Sequence, residues 1–141
     1  MSGPSLYKLD AHRSIHDGVV SEGRELLELL LKVRHEKVEH QERNTRIAAE
    51  ALVDHWEKRL IAHADSEEES FYQEKVERKP DLADAVTGLK RDHELFRIIV
   101  REIKELMDSE GITDGVIDRF KAIGVLAEIH NHEEEKYLLE E

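Results

Sequence analysis

Apolar positions recur along this chain with the three-and-four spacing of helices, in four successive stretches. From about Leu6 to about Val38, Leu9, His12, Ile15, His16, Val19, Leu26, Leu27, Leu30 and Val33 share one broad face. Gly23 lies on that face too, where a small residue lets another helix come close. Residues 1–5 read as a loose start. The polar run 39–44 contains neither Gly nor Pro, so the first turn is placed between 38 and 45, with Asn44 or Thr45 as N-cap. A second helix is expected from about Thr45 to about Arg78; Pro80 ends it and Pro80-Asp81 opens a third. The third aligns Leu82, Val86, Leu89, His93, Phe96, Val100, Ile103 and Met107 and closes at Ser109-Glu110-Gly111. Thr113-Asp114 caps a fourth that runs to the C-terminus. The pattern predicts an all-α, up-down-up-down four-helix bundle, with residues 1–141 as one domain.

Histidines and acids interrupt the apolar faces in a repeated way. On the fourth helix, His130 and Glu134 stand four residues apart on the side of Val116, Ile123, Leu126 and Ala127, while His132 and Glu135 point away. The second helix repeats the spacing: His63 and Glu67 lie on the side of Ala49, Leu52, Trp56 and Leu60, with Glu68 and Glu69 outside. A charge taken out of water needs a partner, so two inward His-x-x-x-Glu pairs are costly unless they meet. Register says that they do. In an antiparallel bundle, residues level with each other are equidistant from the turn. His12 and His63 have their midpoint between 37 and 38, His16 and His63 theirs between 39 and 40, and His93 and His130 theirs at Gly111-Ile112. The inward histidines of all four helices therefore fall at about one level of a bundle roughly 40–50 Å long.

The remaining candidates are plainer. Trp56, Phe71, Phe96 and Phe120 read as core packing, as does Tyr137, for which a hydrogen bond to a metal ligand is the alternative. His35, His40, His55 and His132 read as surface residues, and the acidic runs 67–69 and 133–135 as solvated faces beyond their one inward member.

Composition narrows the chemistry. Charged residues make up 38% of the chain and the net charge is −12, which argues against nucleic acid or an anionic membrane as partner. No apolar run approaches the roughly 20 residues that span a bilayer, and no secretory segment is readable at the N-terminus. Cys is absent, which removes disulfides and thiolate metal sites and fits a cytoplasmic protein, monomeric or homodimeric. Imidazoles with carboxylates and no sulfur suit Fe, Mn or Zn. Glu67 and Glu134, from facing helices, are placed to bridge two metals, with two or three histidines capping each. A metal pair so held keeps room for a small ligand such as O2, NO, peroxide or hydroxide.

These residues resemble the hemerythrin-like, or HHE cation-binding, domains. That family has a histidine on helix 1, His-x-x-x-Glu on helix 2, a histidine on helix 3 and His-x-x-x-Glu on helix 4. Here the pattern reads as Asp10-Ala11-His12, His63 with Glu67, Asp92-His93-Glu94, and His130 with Glu134. The trailing Glu68 and Phe71, and Glu135 and Leu138, match the family's Glu-Glu-x-x-Leu ending. The resemblance covers essentially the whole chain and implies a hemerythrin-like bundle with two non-haem Fe ions, oxo- or hydroxo-bridged. It departs from the oxygen-carrying hemerythrins in two places. Arg97 stands where they have a second histidine on helix 3, and helix 4 offers Glu134 at the four-residue offset and Glu135 where they use an aspartate. The likeness is therefore to the broader HHE group. His12 is the expected helix 1 ligand, and His16 an additional or alternative one that makes up the lost histidine.

Three functions are open at this level. One is a di-iron binding protein that takes up O2 or NO or handles iron. Another is an enzyme that detoxifies peroxide or NO, oxidises Fe(II) or donates iron for cluster repair. The last is a metal-free interaction bundle, against which the inward His/Glu sets argue. With no fused signalling segment readable, a sensor is less expected.

Overall fold

The computed structural model describes residues 9–139, with side chains placed from residue 11 onward. The expected loose start at 1–5, the helix start near Leu6, the inward side chain of Leu9 and the last two residues lie outside the described residues. Helix α1 is Leu9–His35, with Lys32, Arg34 and His35 in its last turn, where cations meet the negative end of the helix dipole. Helix α2 runs over 41–78 and is interrupted by two π-turns, Glu57–Ile61 and Glu67–Phe71. After a 3-10 turn at Pro80–Leu82, α3 is Ala83–Glu110. Helix α4 is α-helical over Asp114–Glu134 and ends in a third π-turn, Glu135–Leu139.

Short turns make sequential helices antiparallel, and α1 packs on α2 and α4 while α3 packs on α4 and α2. The result is the expected all-α, up-down-up-down four-helix bundle.

The first turn falls earlier than the polar run suggested. His40 takes a left-handed backbone (φ 63°) and caps α2, which begins at Gln41. Asn44 is already helical, its N–H bonding His40 O at 2.9 Å, and the Thr45 hydroxyl donates to Gln41 O at 2.8 Å instead of capping. The Gln41 amide in turn donates to Arg34 O at 2.5 Å and so satisfies a carbonyl at the end of α1. At the other marked break, Gly111 adopts φ +82°, and its N–H closes α3 on Met107 O at 3.1 Å.

Two apolar clusters flank a polar layer. The larger fills the half of the bundle nearest the α1–α2 and α3–α4 turns, with Leu30, Leu52, Trp56, Phe96, Ile103, Phe120 and Ile123 buried. Gly23 has its place there: a Cβ on it would stand 2.5 Å from Trp56 Cζ2, so the indole lies against bare backbone. The smaller cluster, Phe71, Tyr72, Val86, Leu89, Leu138 and Leu139, closes the opposite end. The inward histidines and glutamates lie between the two.

Candidate metal centre

All seven candidate residues converge. Their ligand atoms form two groups within 4.8 Å, one of His12, His16, His63, Glu67 and Glu134, the other of Glu67, His93, His130 and Glu134. Each helix contributes: α1 gives His12 and His16 one turn apart, α2 His63 and Glu67, α3 His93, and α4 His130 and Glu134.

The two glutamates are common to both groups, and each divides its oxygens between them. Glu67 turns Oε2 toward His12 Nε2 (3.5 Å) and His63 Nε2 (3.6 Å), and Oε1 toward His93 Nε2 (3.4 Å). Glu134 turns Oε1 toward His12 Nε2 (2.6 Å) and His16 Nε2 (3.3 Å), and Oε2 toward His130 Nε2 (3.4 Å). His93 Nε2 and His130 Nε2 stand 3.3 Å apart.

The donors fit a metal pair. Among the described residues three buried side-chain polar atoms have no hydrogen-bond partner, and two of them, His63 Nε2 and Glu67 Oε2, face each other here. Unpaired buried acceptors and imidazole nitrogens aimed at one point are what a cation would satisfy.

Protonation is divided along the same lines. Burial first, then the charge of Glu134, pushes the Glu67 carboxyl well above its usual range. Burial would raise Glu134 as well, but hydrogen bonds from His12, His130 and His16 hold it well below. Of the metal-free pair, Glu67 therefore holds a proton more readily and Glu134 gives one up more readily. Burial lowers His63 and His93 to about 4, so both are neutral at pH 7 and ready to ligate. Burial opposes charge on His130 too, yet the hydrogen bonds to Asp92 and Glu134 carry it up to about 9.

Several neighbours depart from expectation. Tyr72, which the helical wheel does not place inward, is fully buried; its hydroxyl donates to Glu134 Oε2 and lies 3.2 Å from His93 Nε2. Tyr137, expected in the core or beside the ligands, is 46% exposed. Glu135, expected to point away, is buried and bonds His16 Nδ1 at 2.9 Å and Arg13 Nε at 2.8 Å. Glu68, expected in solvent, is half-buried and bonds His93 Nδ1 at 2.8 Å, and Asp92 does the same for His130 Nδ1 at 2.8 Å. His55, expected at the surface, is buried with Nε2–H donating to Val19 O at 2.8 Å. His35, His40 and His132 are exposed, and Trp56, Phe71, Phe96 and Phe120 are core residues. Arg97 is no ligand; it pairs with Glu68 and Asp65, each at 2.7 Å.

Fold and site together define a class: a four-helix bundle with a buried His/Glu cluster that could hold metal. The sequence profile of the hemerythrin HHE cation-binding domain matches residues 10–141, and the chain belongs to that family. No curated protein and no solved structure matches it significantly. No helix among the described residues is long and apolar enough to cross a membrane.

Proposed function

We propose that the chain holds two iron ions in this cluster and uses them to bind a small ligand, O2 or NO, or to handle iron. The observation that carries the reading is the division of oxygens. Glu67 and Glu134 each offer one oxygen to a pocket with His12, His16 and His63 and the other to a pocket with His93 and His130. Bound there, two irons supply redox electrons and open coordination positions.

The protein's share is to bind, orient and exclude water. The pocket with two histidines has one protein ligand fewer and is the natural place for an added ligand. The adjoining cavity, about 10 Å³ and walled in part by Ile15, Val19 and Leu60, has the size of one water and admits only a small molecule. Mn or Zn would fit the same donors less distinctively.

A second reading, turnover of peroxide or NO, draws on Tyr72. Burial and the charge of Glu134 and Glu67 push its pKa far up, so the phenol stays protonated beside the two-histidine pocket. There it could donate a hydrogen bond to a small ligand beside that pocket.

The deciding experiment is elemental analysis of protein purified without oxygen, with absorption spectra before and after air. Two irons per chain, with new charge-transfer absorption in air, is the expected result. Protein that takes up no iron, and whose melting temperature is indifferent to chelator, would overturn the reading. Rapid loss of added H2O2 or NO would favour the enzyme, and a stable reversible adduct the carrier.

A further inference from the structure

Three site histidines are braced from behind, each by an acid on the helix that precedes its own round the bundle. Glu68, beside Glu67 on α2, holds Nδ1 of His93 on α3 at 2.8 Å. Asp92, beside His93 on α3, holds Nδ1 of His130 on α4 at 2.8 Å. Glu135, beside Glu134 on α4, holds Nδ1 of His16 on α1 at 2.9 Å. Two braces are themselves pinned, Glu68 by Arg97 at 2.7 Å and Glu135 by Arg13 at 2.8 Å. Such partners fix the ring's tautomer and orientation and raise its basicity as a ligand.

One further step in the same direction, from α1 to α2, would brace His63. Among the described residues no acid does so; the carboxylates near it are the inward ones, Glu67 at 3.6 Å and Glu134 in the same ligand group. His63 differs in other respects as well. Its side chain is 20% exposed, against 5% or less for His12, His16, His93 and His130. It sits in the short α-helical stretch Ala62–Ser66, between two π-turns. It also walls the cavity beside the site together with Arg59, whose guanidinium reaches Glu22 at 3.1 Å across the seam of α1 and α2, both side chains about half exposed.

We infer that the centre opens at His63: metal enters and leaves along the α1–α2 seam beneath Arg59, with His63 the first ligand to let go. The three braced histidines keep their grip while it does. This rests on the two-metal reading above. It assigns the site's exchange path to one unbraced imidazole.

The test uses the full chain loaded with Fe(II) under nitrogen, its iron counted first. A limiting dose of diethyl pyrocarbonate followed by peptide mass mapping should find His63 modified ahead of His16, His93 and His130, in step with release of iron to bipyridine. Two irons with His63 as protected as the other three overturns this inference alone; no iron at all removes the metal reading and this with it.

Release rates give a second readout. Arg59→Glu places an acid beside the His63 ring and should slow release several-fold relative to Arg59→Gln, whereas Glu68→Gln, which removes a brace, should hasten it roughly tenfold. Release from Arg59→Glu as fast as from Arg59→Gln would count against the path. Should Arg59→Glu fail to fold, the modification pattern of the unsubstituted chain decides.

Discussion

The bundle buries two regions of opposite character. In its larger apolar half, Leu52, Phe96, Ile103, Phe120 and Ile123 belong to one buried cluster, and packing itself is the stabilising term. In the layer beside it, two carboxylates and every site imidazole but His63 are as deeply buried, yet two facing atoms lack partners and the two acids are pushed apart in proton affinity. Such a layer contributes little to folding without a cation, because desolvated charge is costly until paired. One half holds the helices in place, and the other is held by them, ready for metal.

The sharpest break in that division is Glu134→Gln. Glu134 is fully buried and serves both histidine groups, so its loss should take bound metal from two ions per chain to none while the far-UV CD spectrum stays helical. Metal analysis alongside CD checks both halves of the statement. The converse is Phe120→Ala, which empties a ring-sized volume in the apolar half and should cost about 3–5 kcal/mol in denaturant melts. The molecules that remain folded should still carry both metals.

A third prediction follows from protonation. At pH 7 the metal-free site holds a proton on His130, raised to about 9 by Asp92 and Glu134 against burial, while burial and Glu134 shift Glu67 toward its protonated form. His63 and His93, lowered to about 4, hold none. Ligation requires the deprotonated forms, so loading expels at least the His130 proton and tightens as pH rises. Between pH 7 and 8 the His130 proton alone should raise the overall loading constant about tenfold, roughly 1.4 kcal/mol. Titration calorimetry in buffers of different ionisation enthalpy measures the proton count directly, and a count of zero would contradict these assignments.

Gly23→Ala probes the apolar half more gently. The new Cβ would stand 2.5 Å and 2.6 Å from Trp56 Cζ2 and Cη2, so the indole must shift within a filled core. Better helix propensity returns part of that cost, leaving about 1–2 kcal/mol of destabilisation and unchanged metal content.

The same division explains how much of the molecule was legible from sequence. The helices, the apolar half and the convergence of the seven site residues follow from a 3.6-residue period and from turn positions, and both hold where the helix is regular. What was missed lies at π-turns or on flanks. In the turn Glu67–Phe71, the N–H of Tyr72 bonds Glu67 O, five residues back, which carries Tyr72 round onto the line of Glu67. A regular wheel sets the two about 140° apart. The turn Glu135–Leu139 likewise brings Leu138 and Leu139 inward and leaves Tyr137 outside. Glu135 and His55 were misjudged for another reason. Each stands about 100° from an inward neighbour, so it faces an adjoining helix, where His16 and Arg13 meet one and the Val19 carbonyl meets the other. A wheel sorts in from out, and it carries no record of what an adjacent helix offers.

The two tyrosines put that phase shift to a small, clean test. Tyr72→Phe removes a donor to Glu134 Oε2 inside the buried layer, where water cannot replace it. His130 Nε2 remains 3.4 Å from the same oxygen, which limits the loss to about 1 kcal/mol in the metal-free chain. Tyr137→Phe changes an exposed residue beside Lys136 and should stay within about 0.5 kcal/mol. A regular α-helix through both stretches would reverse the pair, with Tyr137 inward and Tyr72 indifferent. Thermal melts of the two variants, with and without iron, therefore report whether the π-turns after Glu67 and Glu134 exist in solution: equal effects, or the larger effect at Tyr137, would return the site to the simple wheel.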